Sequence, residues 1–298
     1  MTKISGMVES LDHRLKYAMN VKGLDIHTLA GRVLSEGVLR HWRFGMGEAP
    51  IELKGGMLFD QRVRETSDAD ITTIRRYLPH EIERGMDIIR DLLRTEGMDL
   101  EYVSPGPRLI DIGYCDPVER WVLRGKVGGV RACSRLDMAL GRGPDAFSSA
   151  VEVSEIPSIV SGLPSLAIAC QPLEAAAAEK LLAVVLQPVN DTRVKHLADI
   201  ADARLWEGVD YGEVASEVLR VCRHRGINIC SLSGYIGYGR YIRLEESWDR
   251  HRGAGKTSLP LFRALTHAGY FWSEVWDQMF PPRHPVLHCR PAAPRVSA

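Results

Sequence analysis

Asp68 and Asp70 stand two apart in Ser67-Asp68-Ala69-Asp70-Ile71. On a strand, that spacing sends both carboxylates to one face. Two acids side by side repel, and each loses solvation when buried. A divalent cation resolves the conflict, and Mg²⁺ (or Mn²⁺) takes hard oxygen ligands while keeping positions open for substrate phosphates. Upstream, the apolar run Ile51–Lys54 ends in Gly55-Gly56, with eleven residues between Gly56 and Asp68. Glycines let backbone approach phosphate oxygens closely, and a helix expected over Met57–Val63 offers its first N–H groups. Thr66 and Ser67 carry hydroxyls able to donate to a triphosphate. Read singly, each fragment is an ordinary turn or a solvent-facing strand; together they point to metal-assisted chemistry on a phosphorylated substrate.

A third carboxylate is expected on a neighbouring strand. In Val130–Leu140, Leu136 and Met138 alternate with Arg135 and Asp137, so Asp137 faces away from the core. An acid within so apolar a strand is costly unless paired or metal-bound. Asp111 in Arg108–Gly113 is the rival. Further on, Glu179 and Lys180 interrupt an otherwise apolar helix, and Arg193, Lys195 and Asp199 cluster at the start of the next. Lys195 and Asp199 also fit a helical surface pair worth ~0.3 kcal/mol, and Lys180 fits a side chain snorkelling from a helix edge.

Positioning these groups requires a sheet. Met7, Leu11, Leu15 and Met19 set a helical period that continues loosely to residue 46. Strands are expected at Ile51–Lys54, Ala69–Ile74, Asp99–Val103, Arg108–Gly113, Trp121–Arg124 and Val130–Leu140, with a helix over Pro79–Glu96 that places proline at its first position. Pro157, Gly162 and Pro164 suggest a linker. Helix formers then dominate residues 172–187, 194–206, 210–225 and 258–280. The expected organisation is an α/β domain over residues 1–155 and a helical domain over 156–298.

The order of motifs resembles two nested groups. Gly55-Gly56 followed by Asp68-Ala69-Asp70-Ile71 is similar to the signature of DNA polymerase β-like nucleotidyltransferases. Lys54-Gly55-Gly56, the Asp-x-Asp, Ala178-Glu179-Lys180-Leu181 and Arg193-Val194-Lys195-His196-Leu197-Ala198-Asp199-Ile200 together resemble the AbiEii/AbiGii family of nucleotidyltransferase toxins over about residues 28–280. His196 departs from the family's usual acid. The resemblance implies an α+β fold, a polymerase β-like lobe with a mixed sheet followed by a helical lobe. It implies an NTP and metal bound in the cleft, and a toxin of a bacterial toxin–antitoxin or phage-defence pair with a cognate antitoxin. Transfer of a nucleotide to the tRNA 3′ end is a known family activity. On that footing Asp68, Asp70 and Asp137 hold metal. Gly55, Gly56, Thr66, Ser67, Lys180, Arg193 and Lys195 line the nucleotide. Asp199 either orients Lys180 or assists the acceptor hydroxyl.

Composition bounds these readings. The 298 residues include 38 basic and 38 acidic side chains, which excludes a histone-like polycation but not a local basic groove. Only eight of the basic residues are lysine, so each lysine is conspicuous. Six scattered cysteines without a CxxC pair, no apolar N-terminal run and no long apolar stretch fit a cytoplasmic protein with reduced thiols that does not span a membrane. Leu219–Lys256 carries eight basic and three acidic residues among Tyr235, Tyr238, Tyr241 and Trp248. That mixture suits single-stranded RNA, or equally a solvated helical face with its aromatics in the core. Gly253-Ala-Gly-Lys-Thr-Ser258 is not a phosphate loop, because Arg250 stands where the first glycine belongs. The expected activity is nucleotidyl transfer to RNA. The alternatives are transfer to a small-molecule or protein hydroxyl, and a non-catalytic NTP-binding regulator.

Overall fold

The computed structural model describes residues 3–59, 66–103, 108–110, 117–141, 147–148, 152–186, 194–232, 236, 241, 244–254 and 257–281. The helical period near the N-terminus resolves into three helices, α1 (Lys3–Lys22), α2 (Ile26–Arg40) and α3 (Trp42–Met46). Gly23, at φ +67°, ends α1, and the Asp25 carboxylate caps α2 by accepting from the Thr28 N–H at 2.7 Å. Every residue of α2 from Leu29 to Leu39 is buried. Its close approach to the sheet depends on Gly31, where a Cβ would lie 2.6 Å from the Cys133 carbonyl oxygen and 2.9 Å from Ser67 Cβ.

The strands are β1 (Ile51–Lys54), β2 (Ala69–Thr73), β3 (Met98–Val103), β4 (Arg108–Ile110), β5 (Val118–Val127), β6 (Val130–Leu140), β7 (Glu152–Ile156) and β8 (Leu166–Cys170), with α4 (Pro79–Thr95) between β2 and β3. They form one mixed sheet in the order β3-β5-β6-β2-β1-β8-β7, with β4 against β5. β2 runs antiparallel to β1 and parallel to β6, and β8 runs parallel to β1. Leu53, Ile71, Leu136, Met138 and Trp121 are buried on one face in a core shared with α2 and α4. The alternation in each strand therefore commits Lys54, Asp70, Asp137 and Arg120 to the opposite face.

Two expectations change here. The turn after Gly55 is a short 3-10 helix, Gly55–Leu58, rather than a helix beginning at Met57. The domain boundary expected at residue 155 falls inside the sheet, because β8 pairs with β1 through Glu52↔Ala169 and Leu53↔Cys170. Ile159, Val160, Leu166 and Ile168 join the sheet's core. Pro157, Gly162 and Pro164 thus sit in a connection between two paired strands, and the sheet lobe extends to Cys170.

The second lobe is helical: α5 (Leu173–Leu186), α6 (Val194–Ala201), α7 (Tyr211–His224), α8 (Glu245–Gly253) and α9 (Leu261–Met279). It has its own buried cluster, which includes Trp206, Trp248, Trp272 and Phe271. Among the described residues of the sheet lobe, Phe59 is buried in that cluster and Leu58 packs against it; Phe59 meets Trp206 edge-on at 5.5 Å between ring centroids. No helix among the described residues is long and apolar enough to cross a membrane.

Candidate active site

Register builds a row of charge across four strands. Lys54 of β1 lies opposite Asp70 of β2, Asp70 opposite Asp137 of β6, and Asp137 opposite Arg120 of β5. Asp68 immediately precedes β2, and its carboxylate reaches the β6 residue Arg135. Asp70 and the acid expected from β6 therefore lie on the same face of adjacent strands, with Asp68 just before β2. Asp111, the rival for the third position, lies outside the described residues.

Guanidinium groups hold Asp137 and Asp68. Arg120 grips Asp137 with two parallel bonds, Nε to Oδ1 at 2.7 Å and Nη2 to Oδ2 at 2.6 Å. Arg135 donates to Asp68 Oδ2 from Nε at 3.0 Å and Nη2 at 2.5 Å, and its backbone N–H donates to Oδ1 at 3.2 Å. The hydrogen bond to Asp137 outweighs burial and raises the Arg120 pKa, with Asp68 and Asp70 adding to it, so one cation senses all three carboxylates. With Asp68 and Asp137 turned to arginines, no group of three or more His, Cys, Asp or Glu among the described residues is gathered as a metal cage. The donors are nonetheless hard oxygens on adjacent strands, as Mg²⁺ requires. Arg135 is half exposed and Arg120 about one-third exposed, so both have room to release them.

Gly55 explains why the glycine pair precedes this site. It sits at φ +71°, and a Cβ there would lie 2.0 Å from Asp70 Oδ2 and 2.8 Å from its Cγ. The missing side chain is the space occupied by the carboxylate. Gly56 is buried in the same turn. Thr66 and Ser67 lie half-buried at the approach to β2. Ser67 is fixed through its carbonyl oxygen, which accepts from Ser35 Oγ at 2.9 Å and Ser134 Oγ at 2.7 Å.

Lys180 and Asp199 form a buried ion pair at 2.7 Å, with side chains 7% and 8% exposed. Lys180 is therefore buried in an ion pair, not snorkelling from a helix edge. The Trp206 indole N–H donates to the Asp199 carbonyl at 2.8 Å, and Lys180 Nζ lies 5.5 Å from the Phe59 ring centroid. The structure thus brings Lys180 beside the segment that follows Gly55-Gly56. Lys195 is exposed on α6, apart from that pairing. Arg193 lies outside the described residues.

Sequence reasoning missed the contacts of Lys54. Its Nζ meets Glu179 Oε1 at 2.7 Å and lies 4.0 Å from Glu52 Oε2, and Arg225 Nη2 reaches the same Glu179 Oε1 at 3.5 Å. Burial pushes the Glu179 carboxyl up, but Lys54 and Arg225 together outweigh it and hold the group at about 2. Glu52 is fully buried, which pushes its pKa up, and its Oε1 accepts from the Ser148 N–H at 3.0 Å. Its position two residues before Lys54, on the same strand face, was the available signal.

The family model described as nucleotidyl transferase AbiEii toxin, type IV toxin–antitoxin system, matches residues 47–247. The chain belongs to that family and is accordingly a nucleotidyltransferase. No curated protein matches it. Among solved structures, JHP933 from Helicobacter pylori is similar at 14% identity, covering 83% of this chain and 93% of that one, with a TM-score of 0.42. MenT4, the nucleotidyltransferase toxin Rv2826c from Mycobacterium tuberculosis H37Rv, is similar at 15% identity, covering 89% and 97%, with a TM-score of 0.40. These likenesses are loose and carry no residue-level correspondence.

Proposed function

We propose that the chain transfers a nucleoside monophosphate from an NTP to an RNA hydroxyl, with the tRNA 3′ end as the acceptor, and that a cognate antitoxin restrains it in the cytoplasm. The observation that carries the transfer chemistry is the row Lys54–Asp70–Asp137–Arg120, with Asp68 beside it. Asp68, Asp70 and Asp137 would hold Mg²⁺ or Mn²⁺. When bound, the cation would lower the pKa of the attacking hydroxyl and balance charge on the leaving pyrophosphate. The Gly55–Leu58 turn presents backbone to the triphosphate, with Thr66 and Ser67 donating hydroxyls. Lys180, oriented by Asp199, neutralises phosphate charge from the helical lobe. Arg120 and Arg135, once exchanged off the carboxylates, are free to meet phosphate oxygens themselves.

The RNA acceptor is supported by the net positive charge of Leu219–Lys256, of which Arg223 is exposed near the end of α7, while Arg220 and Arg225 are paired with Glu217 and Glu179. Arg240 and Arg243 of that stretch lie outside the described residues. Incubation with each labelled NTP, Mg²⁺ and total RNA should label a tRNA-sized species. Label appearing only in protein or in a small molecule would replace the acceptor and leave the transfer chemistry standing. Each phosphate neutralised on a single strand contributes about −0.7 to the slope of log K against log salt, so Arg240→Ala with Arg243→Ala should flatten it by roughly 1.4. An unchanged slope would remove those arginines from the RNA footprint.

A further inference from the structure

The lysine before Gly55-Gly56 has an obvious reading, a cation aimed at the triphosphate. The contacts give it another partner. Lys54 ends β1 in the sheet lobe, while Glu179 belongs to α5 in the helical lobe. Their 2.7 Å pair is therefore a bond between lobes. It is flanked by Glu52 on one side and Arg225 on the other, so four charges alternate in sign from β1 to the residue that closes α7. Lys54 is 12% exposed and Glu179 25%, so the pair is only weakly screened by solvent.

Two contacts from one short segment grip the same turn of α5. Lys54 holds Glu179, and five residues later Phe59 lies beside Lys180. Consecutive helix residues point about 100° apart. Pinning one while packing against the next fixes the rotation of the helix about its own axis. Between Lys54 and Phe59 lies the Gly55–Leu58 turn that the proposed function assigns to the triphosphate.

We infer that Lys54 is a positioning residue: by holding Glu179 it fixes the rotation of α5 and keeps Lys180 aimed at the turn that receives the NTP. The inference rests on the proposed NTP site. It predicts the opposite of direct phosphate binding for one substitution. If Lys54 itself held the triphosphate, Glu179→Gln would release the lysine toward the ligand and tighten binding. If Lys54 acts through Glu179, the same substitution weakens it.

The test is NTP affinity of the full chain by calorimetry, with each variant's melting temperature recorded as a check on folding. Lys54→Met and Glu179→Gln should each weaken NTP binding by about ten-fold, the scale of one misdirected charge-assisted hydrogen bond. Lys54→Arg should restore most of the affinity. In a Lys180→Ala background, adding Lys54→Met should change affinity by less than about two-fold, because residues acting as one unit do not add. Tighter binding in Glu179→Gln would overturn the proposal. So would a Lys54→Met effect of equal size with and without Lys180, which would make Lys54 a direct ligand. A wild-type chain that binds no NTP would instead overturn the functional reading beneath it.

Discussion

At the scale of single residues, the sharpest constraint is the contact between Gly55 and Asp70. An alanine at 55 would meet left-handed strain of roughly 1–2 kcal/mol and would also displace the Asp70 carboxylate. Gly55→Ala should therefore lose transfer activity far beyond what its modest fall in melting temperature explains; activity within two- or three-fold of wild type would show that Asp70 tolerates displacement. Asp70→Asn and Asp137→Asn keep their volume and should fold. Each should cost several kcal/mol of transition-state stabilisation, about 100-fold or more in rate. An active Asp137→Asn beside an inactive Asp111→Asn would transfer the third position to the other strand. The Asp-x-Asp and its β6 partner were legible because strand alternation is a local rule that puts an acid on one face or the other. Their arginine partners were only half legible. Arg135 shares its face with Asp137 by simple spacing, but Arg120 reaches that acid only through the β5–β6 register.

At the scale of elements, α2 carries an unusual load. Arg32 and Glu36 form a 2.7 Å pair with side chains 3% and 1% exposed. Arg32 donates onward to the Met57 carbonyl at 3.3 Å, and Ser158 Oγ donates to Glu36 at 2.8 Å. The helix thereby ties the turn after β1 to the connection between β7 and β8. Breaking a buried pair from one side strands a charge, so Glu36→Gln should cost about 3–5 kcal/mol in urea denaturation. Replacing both by apolar residues, Arg32→Met with Glu36→Leu, should recover much of that loss; a double variant as unstable as the single would show that the onward bonds to Met57 and Ser158 carry the energy. The arginines over the site belong to this scale too, because β5 and β6 present them together. Arg135→Ala leaves Asp68 without its balancing charge and should tighten Mn²⁺ binding measured without nucleotide. Weaker binding would mean that Arg135 shapes the site instead of competing for it. Helices α4, α5 and α7 emerged from the sequence close to their true bounds, since a sustained apolar period needs no distant partner. β7 and β8 did not, because prolines and a glycine between them read as linker while their pairing depends on β1, over a hundred residues earlier.

Over the whole molecule, the described residues join the two lobes by charge at Lys54–Glu179 and by packing at Leu58 and Phe59. Glu179 is lowered from its ordinary value of 4.5 to about 2. A depressed carboxyl pKa adds stability that is fully present above the unfolded value and is lost as pH falls toward the folded one. The stability gap between wild type and Glu179→Gln should thus be largest near neutrality, on the order of 3 kcal/mol. It should close between about pH 5 and pH 2. A gap independent of pH would mean that the carboxylate's charge contributes nothing to holding the lobes. This long-range architecture was the least legible part of the chain. Lys54, Glu179 and Arg225 each looked like a lone charge until the fold brought residues 125 apart in sequence into contact.

The placement of β8 also sets when the protein can become itself. β1 sits between β2, its near neighbour in the chain, and β8, which ends at Cys170. A nascent chain that has left the ribosome only as far as residue 155 therefore carries β1 as an open edge, the surface on which strands of other chains add. Pairing over so long a sequence separation is slow. The Gln171 N–H bonds to the Leu53 carbonyl at 2.9 Å, and α5 begins two residues later, so strand closure and arrival of Lys180 follow one another almost at once. On the proposed site, the activity is completed only after β8, then α5 with Lys180, then α6 with Asp199 have followed β1 out of the ribosome.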